Sequence, residues 1–506
     1  MRELHDFPGG LSLLPHKEIT NREMSIVQPL PERLFLPLQQ HIGQPATPVV
    51  STGERVLKGQ IIARADGYVS VPVHASTSGV ITDIGLYPVP HPTISTAPCM
   101  VLEPDGNDAW FDIWPSERYD HLEPVRLQEL IRDCGIVGLG GAGFPAHVKL
   151  MEGVENAVDT LIINGVECEP HITCDDRLIQ EKASYVVSGA RMIRHAVQAR
   201  HCVIALEDDM ELAYQALAGL VDDDLELVKV PTRYPAGGEN QLIKTLTGKD
   251  VPSAGLPIHI GIVIHNVATA AAVYRAVTRG EPIVSRYVTV TGKVDNPVNL
   301  QVLLGTPVED CLATCGYQRC EENKVIIGGP MMGVHVTTPN MPVIKTTNCI
   351  IIEENTPAQP EMPCIRCGNC ADVCPERLLP QQLYWFARAQ ALEQARAYRL
   401  FDCTECGCCA YTCPSHIPLV DYYRRAKSQI TLDQEHSRGA EHLRQRFIRK
   451  NARLQHDARA ARADKPLRDG GSDQDSRSAK KSYVQAALAR SRAQRQQRSV
   501  ADGKAR

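Results

Sequence analysis

The chain has 506 residues, 43% hydrophobic and 22% charged, with a formal net charge of −5; that length calls for several domains with their own cores. No stretch reaches the ~18 uninterrupted apolar residues of a membrane-spanning helix, and the charged start, Met1-Arg-Glu-Leu-His-Asp, has no apolar export core. The charge is uneven: residues 431–506 carry 19 Lys and Arg against 9 Asp and Glu, so the body is acidic and the tail basic, yet a tail with two aromatics and no reading motif argues against nucleic acid as a partner.

Residues 1–30 read as an irregular arm, from their scattered Pro and Gly. From Leu34 to Leu86 short apolar runs cut by Gly have strand-and-turn spacing, as in Gln60-Ile-Ile-Ala-Arg and Gly79-Val-Ile-Thr-Asp-Ile, which predicts a small β-sandwich within residues 1–118. The phrase Gly53-Glu-Arg-Val-Leu-Lys-Gly-Gln-Ile-Ile-Ala, followed by His74-Ala-Ser-Thr-Ser-Gly, resembles the lipoyl/biotinyl hammerhead. The corresponding tip, Asp66-Gly67-Tyr68, has no Lys to carry an acyl group, so the module reads as structural.

Residues 119–282 alternate helical and strand patterns, an α/β signature. Leu127 to Cys134 has helical periodicity, Asp159-Thr-Leu-Ile-Ile-Asn and His201-Cys-Val-Ile-Ala-Leu read as buried strands, and Glu211 to Leu220 is again helical. Between the first helix and strand lies Gly138-Leu-Gly140-Gly141-Ala-Gly143-Phe144-Pro145. Glycines let backbone N–H groups approach a phosphate or flavin, although a dinucleotide fingerprint would follow a strand and this loop follows a helix. The next strand ends in Asn164-Gly165-Val166-Glu167-Cys168-Glu169-Pro170, polar groups at the strand end where α/β sheets bind ligands. Later come Tyr234-Pro-Ala-Gly237-Gly238-Glu239 and Val263-Ile-His265-Asn266-Val267-Ala-Thr269, the last a strand running into a helix start suited to phosphate.

Residues 283–340 return to strands around a short helix started by Leu303-Leu-Gly-Thr-Pro-Val-Glu-Asp-Cys-Leu, as in a β-grasp unit. Residues 355–430 hold eight of the 18 cysteines in two copies of one run: Cys364-x2-Cys367-x2-Cys370-x3-Cys374-Pro375 and Cys403-x2-Cys406-x2-Cys409-x3-Cys413-Pro414. This is the two-cluster ferredoxin signature, in which three thiolates of one run hold a [4Fe–4S] cube and the fourth reaches the other cube. The sets are therefore Cys364, Cys367, Cys370 and Cys413, and Cys403, Cys406, Cys409 and Cys374. Zinc sites come as CxxC pairs, and disulfides suit short secreted chains; neither matches. Cys408 reads as a packed free thiol. Leu379, Leu383, Phe386, Leu392, Ala395 and Tyr398 predict a long-helix scaffold between the runs. In 431–506, Ala and Arg dominate around a break at Asp469–Asp473, and the tail is either a solvated extension or a contact for anionic lipid or a partner.

Taken in order, the glycine loop, the Asn164–Pro170 segment, Gly237–Glu239 and Asn266–Thr269 resemble the flavin- and NADH-binding subunit of respiratory complex I. With the hammerhead and the paired cysteine runs, residues 1–430 resemble the RnfC (RsxC) family of the Rnf (Rsx) ion-translocating oxidoreductase complexes, and Ala479–Arg490 resembles one of the Ala/basic repeats of some of its members. The resemblance implies a multidomain α/β chain: barrel-sandwich module, flavin-binding α/β domain, soluble-ligand-binding β-grasp domain, helical two-cluster ferredoxin domain and basic tail. It implies non-covalent FMN cradled by Gly138, Gly140, Gly141 and Gly143, with Phe144 near the nicotinamide face and Lys149, Asn164 and Glu167 on the flavin. Asn266 and Thr269 would take its phosphate, Glu169 would hold NADH, and Glu239 matches the second acid of a Gly-Glu-Glu segment. Where the complex I relative has Arg, Asp, Glu and Glu, this chain has Leu139, Val166, Gly238 and Ala268.

No side chain is then required as nucleophile or base. The implied function is electron transfer between NAD(H) and ferredoxin through FMN and two [4Fe–4S] clusters, coupled to ion translocation. Its partners would be integral membrane subunits and a ferredoxin-like subunit at the cytoplasmic face of the bacterial inner membrane. Two other readings stay open: a relay and scaffold with a degenerate flavin site, and part of a soluble NADH–ferredoxin oxidoreductase without ion pumping.

Overall fold

Short, Gly-punctuated apolar runs build two small sheets at the N-terminal side. In a computed structural model of the chain, described for all residues except 1, 92–93, 113–118, 156, 321, 337, 339, 356–358, 464–477, 479 and 490–506, the strands are β1 (Ile26–Val27), β2 (Leu34–Pro37), β3 (Thr47–Pro48), β4 (Arg55–Val56), β5 (Ile61–Arg64), β6 (Val73–His74), β7 (Gly79–Pro88) and β8 (Thr96–Pro104). Sheets β2-β8-β7-β4 and β3-β5-β6 are antiparallel. Both contribute to one core, with Leu34, Leu36 and Met100 from one and Ile62, Ala63 and Val73 from the other. That is how period-2 strands with one apolar face bury it.

The next segment is α1 (Pro124–Asp133), α2 (Ala146–Glu155), β9 (Thr160–Gly165), α3 (Cys174–Val197), β10 (His201–Glu207), α4 (Glu211–Ala218), β11 (Glu226–Val230), α5 (Glu239–Thr247), β12 (Ile262–Asn266) and α6 (Val267–Arg279). Its strands pair in parallel in the order β11-β10-β9-β12. Continuous Val/Ile/Leu runs suit strands covered on both faces: Leu161, Ile163 and Ile204 face a core shared with α3 and α6, while Ile162, Val203 and Ile264 face α5. α1 begins at Pro124, earlier than the periodicity suggested, because Pro at the first helical position loses no hydrogen bond.

A six-stranded sheet follows, ordered β1-β14-β13-β17-β15-β16 from β13 (Ser285–Gly292), β14 (Val298–Leu303), β15 (Asn323–Ile327), β16 (Val334–Val336) and β17 (Cys349–Glu354), with α7 (Val308–Thr314) packed on it. Its edge strand is β1, paired in parallel with β14, so the arm taken as irregular in the sequence contributes a strand. The cysteine segment carries α8 (Asn369–Asp372), α9 (Pro380–Arg388), α10 (Leu392–Ala397) and α11 (Cys408–Tyr411), then α12 (Leu419–Ala463). The helices between the runs are short, against the expected long scaffold: left-handed Gln390 and Arg399 break the stripe.

The chain divides into two units, residues 1–429 and 430–506. In the second, the described residues are helical over 430–463 and 480–489 and largely exposed. The Asp469–Asp473 break and the ends of the Ala479–Arg490 repeat lie outside the described residues. No described helix is long and apolar enough to cross a membrane.

Three parts of the first unit meet at a buried lysine. Lys345, 1% exposed, donates to the carbonyls of Gly135 (2.7 Å) and Pro72 (3.2 Å). Burial pulls its pKa down to about 7, and His74, buried beside it, is pulled down to about 3 by burial and by Lys345. In the unfolded chain the lysine stays protonated up to its ordinary value near 10.5. The burial penalty is therefore fully present below pH 7 and is relieved between pH 7 and 10.5. Over that window the unfolded state binds more protons, so stability rises with pH by at most ~1.4 kcal/mol per unit from this group. Denaturant midpoints at pH 7.5 and 9.5 should rise more in the wild type than in Lys345→Met; parallel pH profiles would count against the buried-lysine account.

Candidate functional site

The parallel sheet delivers three polar residues at its carboxyl edge: Asn164 from β9, Asn266 from β12 and Glu207 from β10. The glycine loop folds beside them. Gly138 N donates to Phe144 O (2.7 Å) and Gly143 N to Gly138 O (3.2 Å). Gly141 and Gly143 take φ of 105° and 65°, conformations that favour glycine. A Cβ on Gly140 would sit 3.3 Å from the Asn266 side chain, whereas one on Gly141 would meet nothing within 4 Å. The loop crest is thus open on one side and pressed to the start of α6 on the other.

Asn266 caps α6: its Oδ1 accepts from Ala268 N (2.8 Å), and its Nδ2 donates to Asp175 (2.5 Å). Other first-turn N–H groups lack intrahelical acceptors, which suits an anion. Asn164 accepts from Val166 N and donates to Gly237 O, both at 2.9 Å. Lys149 reaches Glu239 at 2.7 Å and Ile264 O of β12 at 3.4 Å. Gly140, Lys149, Asn164, Glu239 and Asn266 therefore gather around the ends of β9 and β12, with Phe144 half-buried in the loop. These donors fit a phosphate and a polyol chain: glycine backbone, amide side chains, an ammonium and a helix start.

Three expected ligand contacts are engaged elsewhere. Thr269 is fully buried; its hydroxyl accepts from Leu139 N (3.0 Å) and donates to Val137 O (3.3 Å), bracing the loop against α6. Glu167 turns inward and accepts from Asp175 N (3.0 Å) and Asp176 N (3.2 Å), capping α3. Burial, then Asp175, pushes its pKa up to about 8. Glu169 accepts from Met331 N (3.1 Å) and Met332 N (2.9 Å), and burial pushes it up to about 7. Sequence reading missed Asp175, the partner of Asn266, and Lys17, which is 5% exposed and pairs with Glu207 and Asp209. Burial opposes the charge on Lys17, but the two acids outweigh it and raise its pKa. Only Asp175 had a local signal, in the Cys174-Asp-Asp start of a helix.

Two of the four departures from the complex I pattern lie together. Leu139 is core, and Ala268 packs on the same apolar cluster with Ala272 and Ile283. Val166 is buried with Phe7 and Ala236, and Gly238 is the N-cap of α5.

The cysteines fall into two cavities. Cys364, Cys367, Cys370 and Cys413 line one of about 450 Å³. Cys374, Cys403, Cys406 and Cys409 line a tighter one walled by Leu378, Leu383, Val420 and Tyr423. The two loops repeat one backbone course: Arg366 and Glu405, Gly368 and Gly407, and Arg377 and His416 are all left-handed. Four thiols around a mostly apolar hollow fit a thiolate-held cluster and no oxygen-seeking cation. Lys427 and Arg424 clamp the second loop through Glu405 (2.8 and 2.9 Å), and Lys427 also donates to Cys403 O (2.7 Å). Cys408 borders the second cavity and is fully buried.

The second cavity abuts the flavin-side segments. Tyr234 donates its hydroxyl to Cys406 O at 2.6 Å, and Tyr234, Cys406, Cys408, Cys168, Met331 and Val373 share one apolar cluster. At the head of α5, Asn240 and Gln241 donate to Glu376, 3.1 and 2.7 Å away. The first cavity opens outward, with Cys367 exposed.

Family models match four stretches: the RnfC barrel sandwich hybrid domain over residues 5–107, the Nuo51 FMN-binding domain over 131–275, the SLBB domain over 287–335 and the 4Fe-4S dicluster domain over 363–417. A Pseudomonas aeruginosa protein, named as the C component of an ion-translocating oxidoreductase complex, is 46% identical over 462 residues, 90% of this chain and 60% of that protein. A protein of the same name from Yersinia pestis is 45% identical over 459 residues, 89% of this chain and 74% of that protein. The chain thus spans less than two thirds of the Pseudomonas relative's length. A chain of a solved NAD+-reducing [NiFe]-hydrogenase is 21% identical, with a TM-score of 0.44 over 61% of this chain and 63% of that one.

The crossed cavities make a specific expectation. Cys374→Ser should deplete the Cys403/Cys406/Cys409 centre and spare the other, leaving roughly half the iron of the reconstituted protein. Iron analysis with electron paramagnetic resonance of each single variant reads this; the idea fails if Cys374→Ser and Cys364→Ser remove the same signal.

Proposed function

The chain belongs to the RnfC family of ion-translocating oxidoreductase complexes, and from that premise we propose that it is the peripheral member that carries electrons between NAD(H) and a membrane-bound, ion-translocating partner assembly. The observation that carries this reading is the contact of Tyr234 with Cys406, which joins the flavin-side cleft to one of two four-cysteine cavities.

In this reading Gly138, Gly140, Gly141 and Gly143 present backbone N–H groups to FMN, and Asn164, Asn266, Lys149 and the first turn of α6 hold its polyol chain and phosphate. Phe144 and Glu239 border the nicotinamide side. Glu167, Glu169 and Thr269 shape the cleft from behind, through α3, the Met331–Met332 turn and the glycine loop. Bound there, the flavin would exchange electron pairs with NAD(H) and single electrons with the iron–sulfur centres.

The Cys374/Cys403/Cys406/Cys409 set is the inner one. Its leucine, valine and tyrosine walls exclude water and hold it beside Tyr234 and Cys168. The Cys364/Cys367/Cys370/Cys413 set is the outer one. Exposed Met362, Ile365 and Trp385 lie beside it, an apolar rim suited to a redox partner such as a ferredoxin-like subunit. Ion passage belongs to the integral membrane subunits, and association with them would hold the chain at the cytoplasmic face of the inner membrane.

A second reading has its own observation. Glu169 is occupied by two backbone N–H groups, as it would be in a relay and scaffold that no longer takes NADH. The full chain with reconstituted clusters separates the two. On the main reading it retains FMN, NADH bleaches the iron–sulfur absorbance, and Lys149→Ala weakens FMN binding by about tenfold, the worth of one charge-assisted contact. No FMN and no bleaching would end the flavin reading and favour the relay with a degenerate flavin site; FMN retained without any response to NADH would remove NAD(H) as the electron partner.

A further inference from the structure

A groove of about 280 Å³ opens on the far side of Leu139 and Ala268, between α3, α6 and the β13–β14 face of the six-stranded sheet. It shares no lining residue with either cysteine cavity. Its lining is strongly basic: Lys182 from α3 and Arg275 and Arg279 from α6. One acid, Glu281, serves both arginines, 2.7 Å from Arg275 and 3.8 Å from Arg279. Among the described residues Lys182 has no hydrogen bond or ion pair; its ammonium lies 5.7 Å from the Tyr185 ring. Arg279 approaches the same ring at 5.2 Å and donates to the Tyr185 hydroxyl at 2.6 Å. Two cations thus converge on one tyrosine, which is fixed from behind by Tyr274, 4.5 Å away. The groove's other acid, Asp175, is committed to Asn266 (2.5 Å), and its other cation, Arg286, donates to the carbonyls of Leu139 and Lys345. The outer part of the groove therefore carries a surplus of positive charge.

α3 leaves helical geometry at Lys182, with φ −136° and ψ 33°, so the helix is kinked where it lines the groove.

We propose that this groove is a second ligand site, separate from the flavin cleft, for a small soluble metabolite bearing a phosphate. Lys182 and Arg279 take the phosphate, Arg275 reinforces them, and the apolar floor of Leu178, Ala271 and Ala272 takes the remainder. The volume, near the lower end of ligand pockets, excludes a dinucleotide. Because the ligand bridges α3, α6 and β13, it would tie the flavin-side helices to the six-stranded sheet.

The test uses the full chain with its clusters and saturating FMN, and inorganic phosphate as the probe at constant ionic strength. Phosphate should broaden its ³¹P resonance saturably and raise the melting temperature. Lys182→Gln and Arg279→Gln should each weaken binding by about tenfold, the loss of one charged donor. Lys182→Gln leaves no partner unpaired, so it guards against misfolding of the arginine variant. Non-saturable broadening, or equal affinity in both variants, overturns the site. The variants localise binding whether or not flavin is retained, so failure here is distinct from failure of the proposed function.

Discussion

Each cysteine cavity needs a thiol from the other run, and this crossing constrains everything around it. Cys374 must reach the loop of Cys403–Cys409, and Cys413 the loop of Cys364–Cys370, so neither half is complete alone. The connection between the runs has to double back, and α9 and α10 are accordingly short, with left-handed Gln390 between them and left-handed Arg399 after α10. The second loop is then held on three sides: by Lys427 and Arg424, by Tyr234, and by the turn carrying Met331, whose carbonyl would lie 2.8 Å from a Cβ on Gly407. The contact with the flavin-side domain is therefore part of the tighter cavity's own wall.

Much of this was legible in the sequence because it is local. Thiol spacing gave the grouping of the cysteines into two cavities, Val/Ile runs gave β9, β10 and β12, and the Asn residues at two strand ends gave the edge of the cleft. What escaped was long-range. Nothing near Lys17 announces Glu207, and nothing near Glu169 announces the N–H groups of Met331 and Met332. A motif match states which residue types stand together and not which way a carboxylate turns: Glu167 and Glu169 both carry the acids of the pattern and both face backbone donors.

The departures from the complex I pattern look different once placed. Leu139 and Ala268 stand where the relative has an Arg and a Glu, and they pack on one apolar cluster. Exchanging two opposite charges for two apolar groups at a buried contact is often neutral, whereas changing one alone strands a charge. These two substitutions belong to the wall between the cleft and the basic groove. Val166 and Gly238 lie elsewhere, one in the apolar cluster with Phe7 and Ala236 and the other at the head of α5.

The N-terminal arm has a consequence for how the molecule comes together. Residues 9–28 touch partners spread along most of the first unit: Gly10 with Val373, Leu11 with Tyr234, Lys17 with Glu207, Thr20 with Asn299, Ile26 and Val27 with β14. They leave the ribosome before any of those partners exist. The arm therefore cannot close fully, as a clasp, until the first cysteine run has emerged. Such contacts, of very high sequence separation, are slow to form. A fusion or crowding at the start of the chain would act late, on the closing of the clasp rather than on the folding of the domains beneath it.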